Sequence, residues 1–201
     1  MAAIQTIRDL RDLRILVIHP PDDEAKLLTD HLQRIGCKPE MLWPCPKRLE
    51  RPADVVLLSF DPVQAEEMQR FTRQLTGTTV IAIVDYENPR LLQAVLESSV
   101  LAVIEKPVRP FGLLTNLVLA RSLWLEQRRM QAKIDKLERK MAGLRNINKA
   151  KIILIEGRGM SEDDAHKMLR DQAMAKRSTM EEIALAIINA HELLNMPLKS
   201  D

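Results

Sequence analysis

The side chains of this 201-residue chain that could do chemistry stand at the ends of short apolar runs. Ser59 closes the run 55–58 and opens the polar stretch SFDP, and His19 follows directly on the run RILVI at 14–18. A serine with a histidine as its base is the smallest unit of nucleophilic catalysis. Such a pair also needs a carboxylate to orient the imidazole or a glycine-rich elbow to expose the hydroxyl, and neither accompanies these residues. Cys37 and Cys45 lie eight residues apart with no His or Cys at metal-ligand spacing, so they read as small buried thiols and not as zinc ligands. His19, His31, His166 and His191 are scattered and form no HxxxH pair. The sequence therefore points to no catalytic residue, no metal and no cofactor.

A second chemistry, attraction of a polyanion, is written in the charge distribution. The formal net charge is only +2, yet residues 121–151 hold ten Lys or Arg against three Asp or Glu. A net +7 on one short segment fits a nucleic-acid contact as well as it fits a solvated helix face. Aromatic residues make up 3% of the chain and apolar residues 46%, supplied by Leu, Ile, Val, Ala and Met, while 29% are charged. That balance describes a helix-rich soluble protein. No run approaches the roughly 20 apolar residues that span a bilayer, and MAAIQTIRDLRDLR at the N-terminus has no apolar signal core, so a cytoplasmic location is expected.

The elements that would position these groups alternate through the first 120 residues. Apolar runs at 14–18, 39–42, 55–58, 79–84 and 101–104 predict strands. Helices are predicted after Asp22 and Asp23, over 62–75 and over 89–97, with Gly36 stopping the first and the Pro-rich WPCPKRLERP forming a loop. Strands separated by helical segments imply βαβ units, hence a parallel sheet covered on both faces. In such a sheet ligands gather at the carboxyl ends of the strands, here HPPDD, SFDP, DYEN and EKP.

Five βα units in about 120 residues, closing on Lys106-Pro107, resemble the receiver domain of bacterial two-component response regulators. The resemblance implies a (βα)5, flavodoxin-like α/β fold. In that family an acidic pair after the first strand binds magnesium, an aspartate ending the third accepts a phosphoryl group, a Thr or Ser ends the fourth, and a lysine after the fifth holds the phosphate. Here the acidic-pair positions are His19 and Pro20, the acceptor position is Ser59 and the Thr/Ser position is Val84, so Lys106 alone remains. Asp22, Asp23 and Asp61 are close in sequence, but a shift of one or two residues turns a side chain to another face or into a loop. Ser59 thus marks a missing aspartate, and the domain, residues 1–115, resembles a receiver with a degenerate phosphorylation site.

From about Phe111 a helical pattern continues without a stop. Ala120, Gln127, Ile134, Met141 and Asn148 recur every seven residues, as do Leu123, Met130, Leu137 and Leu144, which makes an a/d seam over a coiled-coil segment at 116–150. Burial against a second copy is the economical solution for Leu123, Met130, Ile134, Leu137, Met141 and Leu144, and contact with the chain's own tail is the alternative. At the seam's flanks Lys133 and Glu138 would pair in a parallel dimer whereas Lys140 and Arg145 would repel, so charge leaves the orientation open. Beyond it Gly157 and Gly159 are expected to end the helix, and Ser161 with Asp164 and Thr179 with Glu182 have capping-box spacing for two more. Ile152, Ile153, Ile155, Ala165, Leu169, Ala173, Met180, Ile183, Ala184 and Ile187 are the expected three-helix core. Trp43 and Trp124 are expected to pack.

The stretch RNINKAKIILIEGRGMSEDDAHKMLRDQAM, with MEEIA after it, is similar to the ANTAR domain, an RNA-binding antiterminator module. Ala150-Lys151 before an apolar triplet, Gly159, the segment 163–165, Leu169-Arg170, Ala173-Met174 and Ile183-Ala184 carry the match; Ile152 stands where glycine is usual and Ile155 where methionine is common. The resemblance covers about 128–190, within an RNA-binding domain placed at 128–195. It implies contacts to RNA hairpin loops, for which Arg145, Asn148, Lys149, Lys151, Arg158, Arg170, Lys176 and Arg177 are the candidates. With so few aromatics, base stacking would fall to arginine guanidiniums.

A degenerate receiver joined through a coiled coil to this module resembles the AmiR family of amidase-operon antiterminators. The resemblance implies a homodimer that binds leader-transcript hairpins and is restrained by a ligand-sensing negative regulator resembling AmiC. Two other classes are set against it: a DNA-binding response regulator, and a dimeric interaction scaffold without nucleic-acid binding. The acidic opening Glu162, Asp163, Asp164 disfavours the first of these, and the +7 segment is unexplained by the second.

Overall fold

The computed structural model describes residues 10–61, 63–85 and 89–194, without the side chains of 89 and 90. They form two compact units, Met1–Arg129 and Met130–Asp201.

In the first unit five strands pair in parallel in the order β2-β1-β3-β4-β5. They are β1 Arg14–Ile18, β2 Lys38–Leu42, β3 Val55–Ser59, β4 Thr79–Val84 and β5 Val100–Glu105. Helices α1 Asp23–Ile35, α2 Ala65–Gln74 and α3 Pro89–Leu96 follow β1, β3 and β4, and α4 Pro110–Arg158 follows β5. This is the flavodoxin-like order of a receiver, with the strand crossover at β1/β3.

The strands read as unbroken apolar runs because both faces are covered. Ile15, Val17, Val55, Leu57, Ile81 and Ile83 pack with Leu28 and Leu32 of α1 and Leu113 and Leu117 of α4. Leu16, Ile18, Val56, Leu58 and Ala82 pack with Met68 and Phe71 of α2 and Leu91 and Val95 of α3. Asp22 caps α1, its carboxylate accepting from the Ala25 N–H at 2.9 Å, and Gly36 ends it in the left-handed region at φ 93°. Helix α2 starts three residues later than the pattern predicts. Asp61 closes a turn there, its carboxylate accepting from the Val63 N–H at 2.8 Å and its carbonyl from the Gln64 N–H at 3.1 Å; the expected start at Pro62 lies outside the described residues.

No helix follows β2 among the described residues, as the Pro-rich loop predicts, and Cys45 and Leu49 of that loop lean on the second layer. Trp43 is consequently exposed and does not pack as expected, because it leaves an edge strand whose outer side no helix covers. Cys37 is buried and Cys45 half-buried, and both are free. Burial pushes the Cys37 thiol up and the Cys45 thiol up to about 11, so neither is a ready thiolate.

Arg121 ties α4 to the amino-terminal edge of the sheet. Its guanidinium donates to the Asp54 carbonyl and the Thr79 hydroxyl, both at 3.3 Å, and to the Asp54 carboxylate at 3.5 Å. It also lies 4.6 Å above the centre of the Trp124 ring, which Arg128 approaches at 5.4 Å. Arg121→Ala is expected to cost about 1.5 to 3 kcal/mol, since it removes the charged donor shared by the Asp54 and Thr79 groups, although the Asp54 carbonyl keeps the Thr79 N–H and its carboxylate the Arg14 N–H. Arg121→Lys recovers little of this, because an ammonium lacks the planar fork. The shift of the urea midpoint at constant slope measures both.

The second unit packs the end of α4 with α5 Glu162–Lys176 and α6 Met180–Leu194. Its core is Ala150, Leu154, Ala165, Leu169, Ala173, Ile183, Ala184 and Ile188, flanked by Ile147, Ile153, Ile155, Met180 and Ile187. Ile152, expected in this core, is 52% exposed. At about 100° per residue, Ala150 and Leu154 share a face and Ile152 lies on the opposite side. Gly159, at φ 64°, ends α4, whereas Gly157 lies inside its last turn.

Of the two predicted capping boxes the one at Thr179 closes, whereas Ser161 caps α5 through its hydroxyl alone. The Ser161 hydroxyl accepts from the Asp164 N–H at 3.2 Å and donates to the Asp164 carboxylate at 2.7 Å. Thr179 accepts from the Glu182 N–H at 3.2 Å while the Glu182 carboxylate accepts from the Thr179 N–H at 3.1 Å and from the Ser178 hydroxyl. These bonds hold the Glu182 carboxyl below its usual range.

Candidate functional site

Parallel pairing brings the exits of β1, β3, β4 and β5 to one end of the sheet. His19 is buried there. Its Nδ1 lies 2.9 Å from the Pro20 carbonyl and 3.4 Å from the Asp22 carboxylate, and its Nε2 has no partner among the described residues. Ser59 ends β3 with 7% exposure, opposite Ile83 of β4. Val84 is paired with Glu105 and its carbonyl accepts from the Lys106 N–H at 2.9 Å. The acidic residues near these positions are engaged elsewhere. Asp22 caps α1, Asp23 pairs with Lys26 at 2.9 Å and Asp61 holds its turn. Among the described residues no three His, Cys, Asp or Glu side chains are grouped to hold a metal ion.

Lys106 has an occupant. Its ammonium lies 2.7 Å from the carboxylate of Asp85, the residue after β4, and its side chain is 17% exposed. Sequence reasoning missed Asp85 as its partner, although β4 and β5 are neighbours and both residues stand just past their strands. A serine at position 59, a buried histidine at position 19 and a lysine already paired to a carboxylate leave neither an acidic pair for magnesium nor an acceptor carboxylate at these positions.

The second unit separates the eight candidate RNA contacts by their existing partners. Lys149 bonds Glu192 at 2.7 Å, and Lys151 bonds Glu162 at 2.7 Å with only 15% of its side chain exposed. Those lysines pull both carboxyls below the usual range. Arg170 stands 3.8 Å from Asp171. Arg145, Asn148, Arg158, Lys176 and Arg177 are exposed, and the four cations among them have no ion-pair partner among the described residues. Arg145, Asn148 and Lys149 share one side of α4 by their spacing of three and four. Arg177 adopts the left-handed conformation that caps α5, at φ 51°. A phosphate thus meets Arg145 directly, but has to displace a carboxylate at Lys149 and Lys151.

Residues 13–121 match the family described as AmiR, N-terminal, and residues 135–188 match the ANTAR domain. The aliphatic amidase regulator of Pseudomonas aeruginosa is 33% identical over 190 residues, which cover 94% of this chain and 97% of that protein. Among solved structures, the response regulator StyR has a TM-score of 0.48 at 13% identity, covering 88% of this chain and 98% of that one. The receiver domain of a histidine kinase from Syntrophus aciditrophicus has a TM-score of 0.42 at 16% identity, covering 55% and 90%. Overlaps of that size carry no argument, and the fold assignment rests on the strand order.

Proposed function

The chain belongs to the AmiR family of ANTAR-domain regulators, and from that premise we propose how it works. It is an RNA-binding transcription antiterminator, governed by a protein partner and not by phosphorylation. The single observation that carries this is the joint match of a receiver-like unit and an ANTAR unit along nearly the whole chain. The strand-exit geometry supports the mode of control, since Lys106 is held by Asp85 and position 59 offers a hydroxyl where the acceptor carboxylate would be.

The domain at 1–115 receives the regulatory partner, a ligand sensor resembling AmiC. The coiled coil at 116–150 joins two copies, and the domain at 128–195 binds hairpin loops of a leader transcript so that a terminator does not form. Arg145, Asn148, Lys149, Lys151, Arg158, Arg170, Lys176 and Arg177 supply the RNA contacts, led by Arg145, Arg158, Lys176 and Arg177, which have no ion-pair partner among the described residues. The protein acts in the cytoplasm and catalyses no reaction; among the described residues no helix is long and apolar enough to cross a membrane. DNA binding through α5 is disfavoured because Glu162, Asp163 and Asp164 are exposed at its entry and repel phosphates.

A titration of the full chain against its operon's leader RNA and a matched DNA duplex, at two salt concentrations, tests this. Tight, salt-dependent binding to the RNA alone is expected, weakened by about tenfold or more in the Arg145→Ala, Lys149→Ala double variant. Equal weak binding to RNA and DNA, unchanged in that variant, would return the basic segment to a solvated helix face.

A further inference from the structure

The exposed seam of α4 and the cations beside it define a site that one copy of the chain does not complete. Met130, Ile134, Leu137, Met141 and Leu144 are each about half exposed, at 53, 47, 61, 54 and 55%. In heptad terms the a positions also include Gln127 and Asn148, both exposed. A parallel, in-register pair sets each of these amides against its own counterpart, so both can hydrogen-bond. The antiparallel alignments that keep a facing d set Gln127 against Leu137 or Leu144, and one of them sets Asn148 against Leu123, which leaves buried amides facing hydrocarbon. The polar positions thus select the parallel pair that the charges left undecided.

In that arrangement each g residue meets the e residue five places on in the partner. Lys133 meets Glu138 favourably, but Lys140 meets Arg145. Two such contacts place four cations around the seam where α4 enters the RNA-binding unit. Lys140 and Arg145 are exposed and have no ion-pair partner among the described residues, unlike Lys149 and Lys151 on the following turns. Four facing cations, with Glu181 packed over Gly143 one turn away but making no ion pair with them among the described residues, weaken the dimer and attract phosphate.

We propose that Lys140 and Arg145 of two parallel copies form a composite site for RNA phosphates, so that RNA binding and dimerisation are thermodynamically linked. This rests on the dimeric RNA-binding reading above. RNA bound across both copies neutralises the repulsion, and by reciprocity dimerisation raises RNA affinity by the same factor. Salt alone, by screening, tightens the dimer in the absence of RNA, the opposite of its effect on RNA binding.

The test is the dimer dissociation constant of the full chain by analytical ultracentrifugation, alone and with a synthetic RNA stem–loop or a DNA duplex of equal length. RNA is expected to tighten the dimer about tenfold at low salt and DNA to do much less. Lys140→Glu, which sets a carboxylate opposite Arg145, is expected to tighten the RNA-free dimer about tenfold and to shrink the RNA effect to about threefold or less. Lys136→Glu makes the same charge change on the outer face and is expected to leave the RNA-free dimer within about twofold. An unchanged or weakened Lys140→Glu dimer, equal tightening by Lys136→Glu, or equal tightening by DNA would overturn the linkage while leaving dimerisation intact. A chain that stays monomeric with and without RNA would overturn the dimer as well.

Discussion

Leu169→Ala is expected to unfold the C-terminal unit and abolish RNA binding while the receiver-like unit survives. Leu169 is fully buried on α5, in a core of eight buried residues of which four are alanines. A core so poor in large side chains depends heavily on each one it has. Leucine-to-alanine changes at such sites cost about 2 to 5 kcal/mol, through lost transfer energy and the cavity left behind. A unit of this size has a total stability of only about 4 to 10 kcal/mol, so the change removes a large part of it. Calorimetry is expected to show one transition retained and the other lowered or lost, and helical signal from α5 and α6 falls with the latter. Retention of both transitions and of RNA affinity would mean that the helices repack around the smaller side chain.

Leu137→Asp is expected to separate the two copies without unfolding either. Leu137 sits mid-seam at 61% exposure, so the single chain already tolerates a solvated side chain there. Each copy that buries it gains about 1.5 to 3 kcal/mol, and a symmetric dimer loses that twice, before the cost of facing two carboxylates. The dissociation constant should therefore rise at least about a hundredfold. Sedimentation equilibrium reads the change, with helical content as the check on folding. An unaltered dimer would locate the contact away from the seam, and would argue for association through the receiver-like unit.

The two variants also separate the parts of the function. Leu169→Ala unfolds the unit that carries both the RNA contacts and most of the seam, whereas Leu137→Asp leaves each copy's own RNA contacts folded and removes the partner's share of the site. Hairpin binding abolished by the first and weakened but retained in the second, with antitermination lost in both, would mean that two joined RNA-binding units are needed for activity.

Most of the architecture was legible because it depends on local periodicity and punctuation. The strand runs, the stop at Gly36 and the helix caps at Ser161 and Thr179 involve residues within a few positions of one another, so spacing alone identifies them. The heptads of α4 were readable for the same reason, and Leu123, Met130, Ile134, Leu137, Met141 and Leu144 stand exposed along it. At the strand exits the residue types His19, Pro20, Ser59 and Val84 were readable directly from the sequence. Less was legible where neighbours from distant segments decide the outcome. The rotation of α4 in its core buries Leu154 and exposes Ile152, and only the positions of α5 and α6 show which of two opposite apolar faces turns inward.

By itself, then, the sequence determined the element order, the joining of a receiver-like unit to an RNA-binding one, and the loss of the phosphorylation groups, since all three are properties of residue type and spacing along the chain. Tertiary structure alone decided which charges are free to act. Lys106 is held by Asp85 across adjacent strands, Arg121 by Asp54 at the sheet's edge, and Lys149 and Lys151 by Glu192 and Glu162 from other helices, while Arg145 and Lys140 have no ion-pair partner among the described residues. The reason is physical: a cation's availability is set by the carboxylate that folding brings within a few ångströms of it, and that partner lies up to 67 residues away in these pairs.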